Sequence, residues 1–316
     1  MSDTWVAVLS GGLSHEREVS LRSGRRLSAA LRSVGLTVDE WDADASLVAR
    51  LTDRRRPDAV IVAMHGGEGE NGAVQNVLEM LAVPYVGTDP RACRRAWDKP
   101  IAKAELARAG IDTPDWVVLS HSTFRELGAR GVLDAMVAKL GLPLMLKPDQ
   151  GGSALGAQVV RDAADLPAAM VGCLSYGDTV LAERFVPGIE VAVSVIEGPD
   201  GPVALPAVEI VPENGVYDYT ARYTAGLTTF HAPARLDPVT AAKVGELAVT
   251  AHRLLGLRDV SRTDAIVDAD GRVQFLEVNV SPGLTETSLL PMAVEAAGQS
   301  LGDVFAGLVD RALARS

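Results

Sequence analysis

Four residues near the end of the chain have the types and spacing to handle phosphate and metal. They are Arg262, Asp264, Glu277 and Asn279, within VSRTDAIVDADGRVQFLEVNVSPGLTETSL at 260–289. Asp270-Gly271 lies between two apolar, β-branched runs, which is the pattern of a hairpin turn. A turn at those two residues sets Asp264 opposite Glu277 and Arg262 opposite Asn279. A four-residue loop centred one position earlier changes the partners and keeps the parity. Side chains alternate along a strand, so in both registers the four share one face. Leu276 and Val273 interrupt the alternation on the other face, which carries Ala265, Val267 and Phe275. Two carboxylates and an amide oxygen suit Mg²⁺ or Mn²⁺. An arginine beside them suits a phosphate or a developing oxyanion. On spacing alone, a solvated charged face competes with this reading about evenly. Ser281-Pro282-Gly283-Leu284-Thr285 favours the chemical one. It breaks the strand and leads into a helix near Ser288, offering free backbone N–H groups to an anion.

Other chemistry-bearing residues are spread along the chain. Lys147 precedes the glycine-rich loop Asp149–Gly156, which can fold over phosphates or serve as a plain hairpin connection. It is not a Walker A loop, whose lysine opens a helix. Glu190 opens an apolar strand that could hold an adenine edge on its backbone and a ribose on its carboxylate. Glu18 begins a helix beside the ends of two strands, where it either offsets the helix dipole or holds an ammonium group. Residues 213–235, with Tyr217, Tyr219 and Tyr223, read as an irregular polar loop, either a lid or a solvent-exposed surface.

The elements that must position these groups alternate between strand and helix. Strands are predicted at 5–10, 36–41, 59–64 and 84–87, and helices at 19–34 and 73–81, giving a mostly parallel α/β sheet. Gly11-Gly12 and the 66–72 loop fall at carboxyl ends of strands, where open α/β sheets bind ligands. One helix is predicted over 91–109, with Asp98-Lys99 inside it. Strands follow at 116–119, 143–147, 157–160, 180–186 and 188–196, with helices at 133–140, 238–255 and 301–314.

At 316 residues, two or three domains are expected. The content, 47% hydrophobic and 22% charged, is that of a folded chain. The net charge of −11 argues against general nucleic-acid or anionic-membrane binding. Cys93 and Cys173 form no metal motif and read as buried thiols of a reducing compartment. No signal segment or membrane span is read, so a cytoplasmic location is expected.

Eight segments in chain order resemble the D-alanine–D-alanine ligases of the ATP-grasp superfamily. They are HEREVSLRSG (15–24), HGGEGENGAVQ (65–75), DK (98–99), KPDQGGSALG (147–156), ERFVPGIE (183–190), YDYTARY (217–223), SRTDAIV (261–267) and EVNVSPGLTETSLLPMA (277–293). The resemblance implies a three-domain α/β (α+β) ATP-grasp architecture. Its expected divisions are an N-terminal domain at 1–88, a central domain at 89–186 and a C-terminal domain at 187–316, with ATP between the last two. It implies ATP-phosphate contacts from Lys99 and Lys147, with Ser153 on the phosphate loop. Adenine and ribose contacts fall to Glu183, Arg184, Val186 and Glu190. Two Mg²⁺ (or Mn²⁺) ions fall to Asp264, Glu277 and Asn279, and the tetrahedral intermediate to Arg262 and the Gly283 backbone. Glu18 is expected to orient the first amino acid and Ser288 and Leu289 to hold the second, while Glu18, Ser153 and Tyr223 close the lid. The implied reaction joins two D-alanines at the expense of ATP for peptidoglycan synthesis, in a homodimer. A ligase for another D-amino acid and a nucleotide sensor without catalysis are the alternatives. The chain departs from the family pattern at Ala154, where a second serine is frequent, and at Arg184 and Arg222, where lysines are common.

Overall fold

The computed structural model describes residues 4–224 and 226–315, apart from the side chain of Tyr223. The first segment runs β1 (Trp5–Ser10), α1 (Arg17–Ser33), β2 (Thr37–Asp42), α2 (Leu47–Thr52), β3 (Ala59–Val62), α3 (Ala73–Met80) and β4 (Tyr85–Val86). Its four strands form a parallel sheet in the order β2-β1-β3-β4. Strands β1 and β3 are almost wholly apolar because helices cover both faces of a parallel sheet.

The helix expected over 91–109 is two helices, α4 (Pro90–Trp97) and α5 (Lys99–Arg108). Asp98 leaves helical geometry, and its carboxylate accepts a hydrogen bond from the Ile101 N–H at 2.9 Å. Pro100 cannot donate to the preceding turn, so the chain breaks there and restarts with Asp98 as the cap. The restart puts Lys99 in the first turn of α5, buried.

The middle segment holds β5 (Trp116–Ser120), α6 (His121–Leu127), α7 (Ala129–Leu140), β6 (Leu144–Pro148), β7 (Gln158–Val160), α8 (Leu166–Leu174) and β8 (Thr179–Arg184). Its sheet is antiparallel in the order β5-β8-β6-β7 and has its own core. The last segment holds β9 (Gly188–Gly198), β10 (Gly201–Ala204), β11 (Val208–Pro212), α9 (Tyr219–Tyr223), β12 (Thr228–His231), α10 (Pro238–Leu254), β13 (Val260–Asp268), β14 (Val273–Asn279), α11 (Leu289–Ala296) and α12 (Leu301–Ala314). These strands form an antiparallel sheet in the order β12-β11-β9-β13-β14, with β10 on β9. The stretch expected to be irregular at 213–235 is therefore partly regular. Asp218 caps α9 by accepting from the Ala221 N–H at 2.8 Å, and β12 pairs with β11.

Each sheet falls within one of the three expected segments, but some helices pack across them. Helices α4 and α5 share a core with β9, β13 and β14 through Cys93, Leu106, Val193 and Phe275. Helix α12 shares one with β1 and α1 through Phe305, Leu308, Val6 and Leu27. Both cysteines are buried, and burial pushes both thiols above their ordinary range. No helix among the described residues is long and apolar enough to cross a membrane.

Candidate active site

The hairpin keeps the expected partners by an unexpected route. Asp264 faces Glu277 and Arg262 faces Asn279, but Ala265 faces Phe275 and Val267 faces Val273. The turn is a three-residue loop ending at Gly271, whose φ of +74° is the left-handed position that favours glycine. That loop shifts the register by one, and a β-bulge at Leu276 shifts it back. The cause is the core. Phe275, Val278 and Val280 all pack into the same apolar cluster. Strict alternation forbids inward positions at both 275 and 278, so one residue must be extra. The interrupted pattern at Leu276 is the sequence trace of that bulge.

Between the middle and last sheets lies a cavity of about 460 Å³, lined by Lys99, Lys147, Glu183, Arg184, Val186, Glu190, Asp264 and Glu277 among others. Lys147 leaves β6 and places its Nζ 2.6 Å from Glu183 Oε1. Lys99 Nζ donates to the Gly151 carbonyl at 2.6 Å and lies 4.0 Å from Glu277 Oε2. Burial alone would push Glu277 up, but Lys99, Lys147, Arg222 and Arg262 outweigh it and hold the carboxyl at about 2. Glu190 has the opposite balance. Its burial, with Asp264 and Glu277 nearby, overcomes Arg222 and pushes it up to about 7. Arg184 is mostly exposed and ion-pairs with Asp115 at 3.2 Å. Glu183 sits between Lys147 and a second lysine, Lys103, and the sequence had not pointed to Lys103.

A smaller cavity of about 60 Å³ adjoins it, and both are lined by Tyr217 and Arg222. Glu16, His65, Glu70, Ser153, Arg262, Asn279, Gly283, Ser288 and Leu289 line the smaller one. Glu18, expected here, is instead exposed on the first turn of α1. Glu16 is buried and accepts the Ser153 hydroxyl. The expectation misplaced the helix start: α1 begins at Arg17, so the residue before it points into the site and the one after it points to solvent. Ser153 and Ala154 both have φ near +50°, at 53° and 54°, a sparsely populated backbone that the surrounding loop must hold. Glu70 accepts from the Gly66 N–H at 2.7 Å; burial and the Glu16 charge push it up to about 8. His65 bridges the Ser281 carbonyl at 3.0 Å and the Ser23 hydroxyl at 2.7 Å, and burial holds it down at about 4. Glu16, His65 and Glu70 all lie in the 15–24 and 65–75 segments, where a buried carboxylate or imidazole beside a glycine-rich strand end was the available signal. Ser288 Oγ accepts from the Thr285 N–H at 3.0 Å, and a Cβ on Gly283 would stand 2.7 Å from it. Tyr223 ends α9; its side chain lies outside the described residues.

Arg262 grips Asp264 with two hydrogen bonds of 2.7 and 2.9 Å, and burial is outweighed by Asp264 in holding its guanidinium charged. Asn279 Oδ1 accepts from the Ser281 N–H at 2.8 Å, which turns the amide oxygen to a fixed direction. Among the described residues, no three His, Cys, Asp or Glu side chains converge as a cage. Two carboxylates and one amide on one face of the hairpin fit a hard cation whose other ligands are phosphate and water, which is how Mg²⁺ is ordinarily held in nucleotide sites.

The family described as D-ala D-ala ligase C-terminus matches residues 106–310. The chain is 42% identical to the D-alanine–D-alanine ligase of Anaeromyxobacter dehalogenans (strain 2CP-C), over 98% of both chains. It is 40% identical to that of Moorella thermoacetica, over 98% of this chain and 99% of the relative. Among solved structures, it aligns with the VanG D-Ala:D-Ser ligase from Enterococcus faecalis at a TM-score of 0.85 and 25% identity, covering 98% of this chain and 100% of that one. It also aligns with the ATP complex of the Bacillus anthracis D-alanine–D-alanine ligase at a TM-score of 0.80 and 28% identity, over 99% and 98% of the two chains. With its residues arranged as above and its relatives matching end to end, the chain belongs to the D-alanine–D-alanine ligase family of ATP-dependent ligases with the ATP-grasp fold.

Proposed function

We propose that the chain makes D-alanyl-D-alanine from two D-alanines, converting one ATP to ADP and phosphate. The observation that carries the reading is the meeting of two cavities at one hairpin. Asp264 and Glu277 line the large one, while Arg262 and Asn279 line the small one. On this reading the nucleotide occupies the first and the two amino acids meet at the second, and the strands between them carry the charges that a phosphoryl transfer needs.

In the first step a carboxylate oxygen of the first D-alanine attacks the γ-phosphorus, and the bond to ADP breaks. Lys99 and Lys147 supply positive charge to the phosphates, with Lys99 held by the Gly151 carbonyl and Lys147 by Glu183. Glu190 accepts from the ribose, and the Val186 backbone meets the adenine. Asp264, Glu277 and Asn279 would hold Mg²⁺, which when bound offsets phosphate charge. In the second step the free amine of the second D-alanine attacks the acyl carbon, and phosphate leaves. Arg262 and the Gly283 N–H face the oxyanion. Glu16, in the place expected for Glu18, takes the first ammonium, and Ser288 and Leu289 hold the second amino acid. The loop around α9 excludes water, which would otherwise hydrolyse the acyl phosphate. On this reading the dipeptide serves peptidoglycan synthesis in the cytoplasm, and the chain acts as a homodimer.

The test incubates the protein with ATP, Mg²⁺ and single D- or L-amino acids, measures phosphate release and identifies products by mass. D-Alanyl-D-alanine as the main product is expected. A product from another D-amino acid with none from D-alanine would replace the substrate assignment, and ATP binding without any product would replace the enzyme reading.

A further inference from the structure

Lys103 is among the largest fully buried side chains of the described residues, with none of its surface exposed. It does not line the nucleotide-sized cavity. Its Nζ stands 2.8 Å from Glu183 Oε2, donates to Thr113 Oγ1 at 2.5 Å and lies 5.3 Å from the centre of the Trp116 ring. Thr113 Oγ1 in turn donates to the Phe275 carbonyl at 2.8 Å. Phe275 begins the bulge that sets Glu277 in register, and its own N–H donates to the Asp112 carbonyl at 2.8 Å.

We propose that Lys103 is a positioning residue: it offsets the Glu183 charge so that the trio with Lys147 presents net positive charge to the nucleotide phosphates, and it ties that lysine pair to the metal-facing strand through Thr113. The proposal rests on the reading that Lys147 faces ATP. A buried charge is retained only where something offsets its desolvation. A carboxylate between two ammonium groups leaves one net positive charge on the trio, whereas Glu183 and Lys147 alone would form a neutral pair. The near-complete burial of Glu183 keeps water from screening the difference. The second half of the proposal follows from the chain of contacts. Glu183 belongs to the middle sheet and Phe275 to the last, so the Glu183–Lys103–Thr113–Phe275 link joins the two walls of the cavity. The lysine sits on α5 one turn after Lys99, so a single short helix supplies one cation that faces the cavity and one that stands behind it.

The test compares steady-state kinetics of the full-length protein, Lys103→Met, Glu183→Gln and the double variant Lys103→Met/Glu183→Gln, with ATP and D-alanine varied separately. In Lys103→Met the KM for ATP should rise by about tenfold, the scale of one charge-assisted hydrogen bond, while the KM for D-alanine stays near wild type. Glu183→Gln carries its own cost to ATP binding, because Glu183 lines the cavity. In that background adding Lys103→Met should change the KM for ATP by less than about twofold, because the carboxylate that would offset Lys147 is already gone. A merely structural lysine would cost the same in both backgrounds. A KM for ATP within about twofold of wild type in folded Lys103→Met, or an equal rise from Lys103→Met in both backgrounds, would overturn the proposal. Should Lys103→Met be insoluble, Thr113→Val is isosteric and reads the same link. A rise of about threefold in the KM for ATP is expected from it, and an unchanged value would overturn the proposal. A wild-type protein that neither binds nor turns over ATP would instead remove the functional reading, and this proposal with it.

Discussion

The large cavity takes most of its carboxylates from strands, and the small one takes its carboxylates from connections. Lys147, Glu183, Glu190, Asp264 and Glu277 stand on β6, β8, β9, β13 and β14. Glu16, Glu70, Ser153, Gly283 and Ser288 stand in connections. A strand residue has a side fixed by parity and a depth fixed by the apolar partners on the other face. A loop residue has neither, and its direction depends on φ/ψ values that only the folded neighbours impose. The protonation states follow neighbouring charge instead, since Glu190 on β9 is also pushed up, to about 7. The strand carboxylate Glu277 is surrounded by cations and held at about 2, whereas the loop carboxylate Glu70 stands beside Glu16 and is pushed up to about 8.

That division decided what could be read from the sequence. Period-two alternation put Arg262, Asp264, Glu277 and Asn279 on one face, and the structure shows those pairs in register. The bulge at Leu276 left a mark in the alternation but no mark of its meaning, because two compensating shifts restore the partners. Glu18 was placed at the site because a helix boundary read from apolar spacing is uncertain by one or two residues, and two residues decide between cavity and solvent. Lys103 carried no signal at all. A lysine on a helix reads as solvent-facing, and only the packed structure shows that its head group ends at Glu183. The parallel sheet, the hairpin and the terminal helices were legible, since long apolar periodicity survives packing. The split of 91–109 into α4 and α5 was foreshadowed by Pro100 but needed the Asp98 cap to place it.

The sharpest test of the strand-built half is Glu277→Gln, which removes one negative charge without changing shape. Four cations converge on Glu277. Its loss should lower ATP turnover by about 10²- to 10³-fold at saturating Mg²⁺ while circular dichroism and thermal unfolding stay close to wild type. Near-normal turnover in a folded variant would show that the Glu277 charge does not serve the phosphates.

The loop-built half is tested by a pair of variants two residues apart. Glu16→Gln should raise the KM for D-alanine by about ten- to a hundredfold, because it converts a charge-assisted contact with an ammonium into a neutral one. Glu18→Gln, on the exposed turn of α1, should leave the same constant within about twofold. Measured side by side, the reverse order of effects would return the ammonium to Glu18 and mean that the loop around Glu16 is rearranged in the working enzyme.

The smallest effect expected is a change in pH dependence from Glu70→Gln, which probes the loop end by protonation instead of rate. Glu70 has a folded-state pKa of about 8 against an ordinary value of 4.5, caused first by burial and then by the Glu16 charge. Between those two values the folded chain holds a proton that the unfolded chain has released. The stability this contributes is full below the unfolded value and is lost as pH rises through the folded one. Glu190, raised to about 7, acts in the same direction over a narrower window. His65, held down at about 4 against an ordinary 6.5, acts in the opposite direction up to about pH 6.5, so the ligand-free protein should lose Tm chiefly between about pH 6.5 and about pH 8.5. Glutamine at position 70 keeps the oxygen that accepts from the Gly66 N–H and has no proton to lose. Its Tm should fall less over that interval, by roughly a few degrees, with the remaining slope owed to Glu190 and other groups. Parallel Tm curves for the two proteins would mean that Glu70 is already ionised in the folded state. The contrast between a cation-rich strand face and a carboxylate pair in the loops would then fail at its loop end.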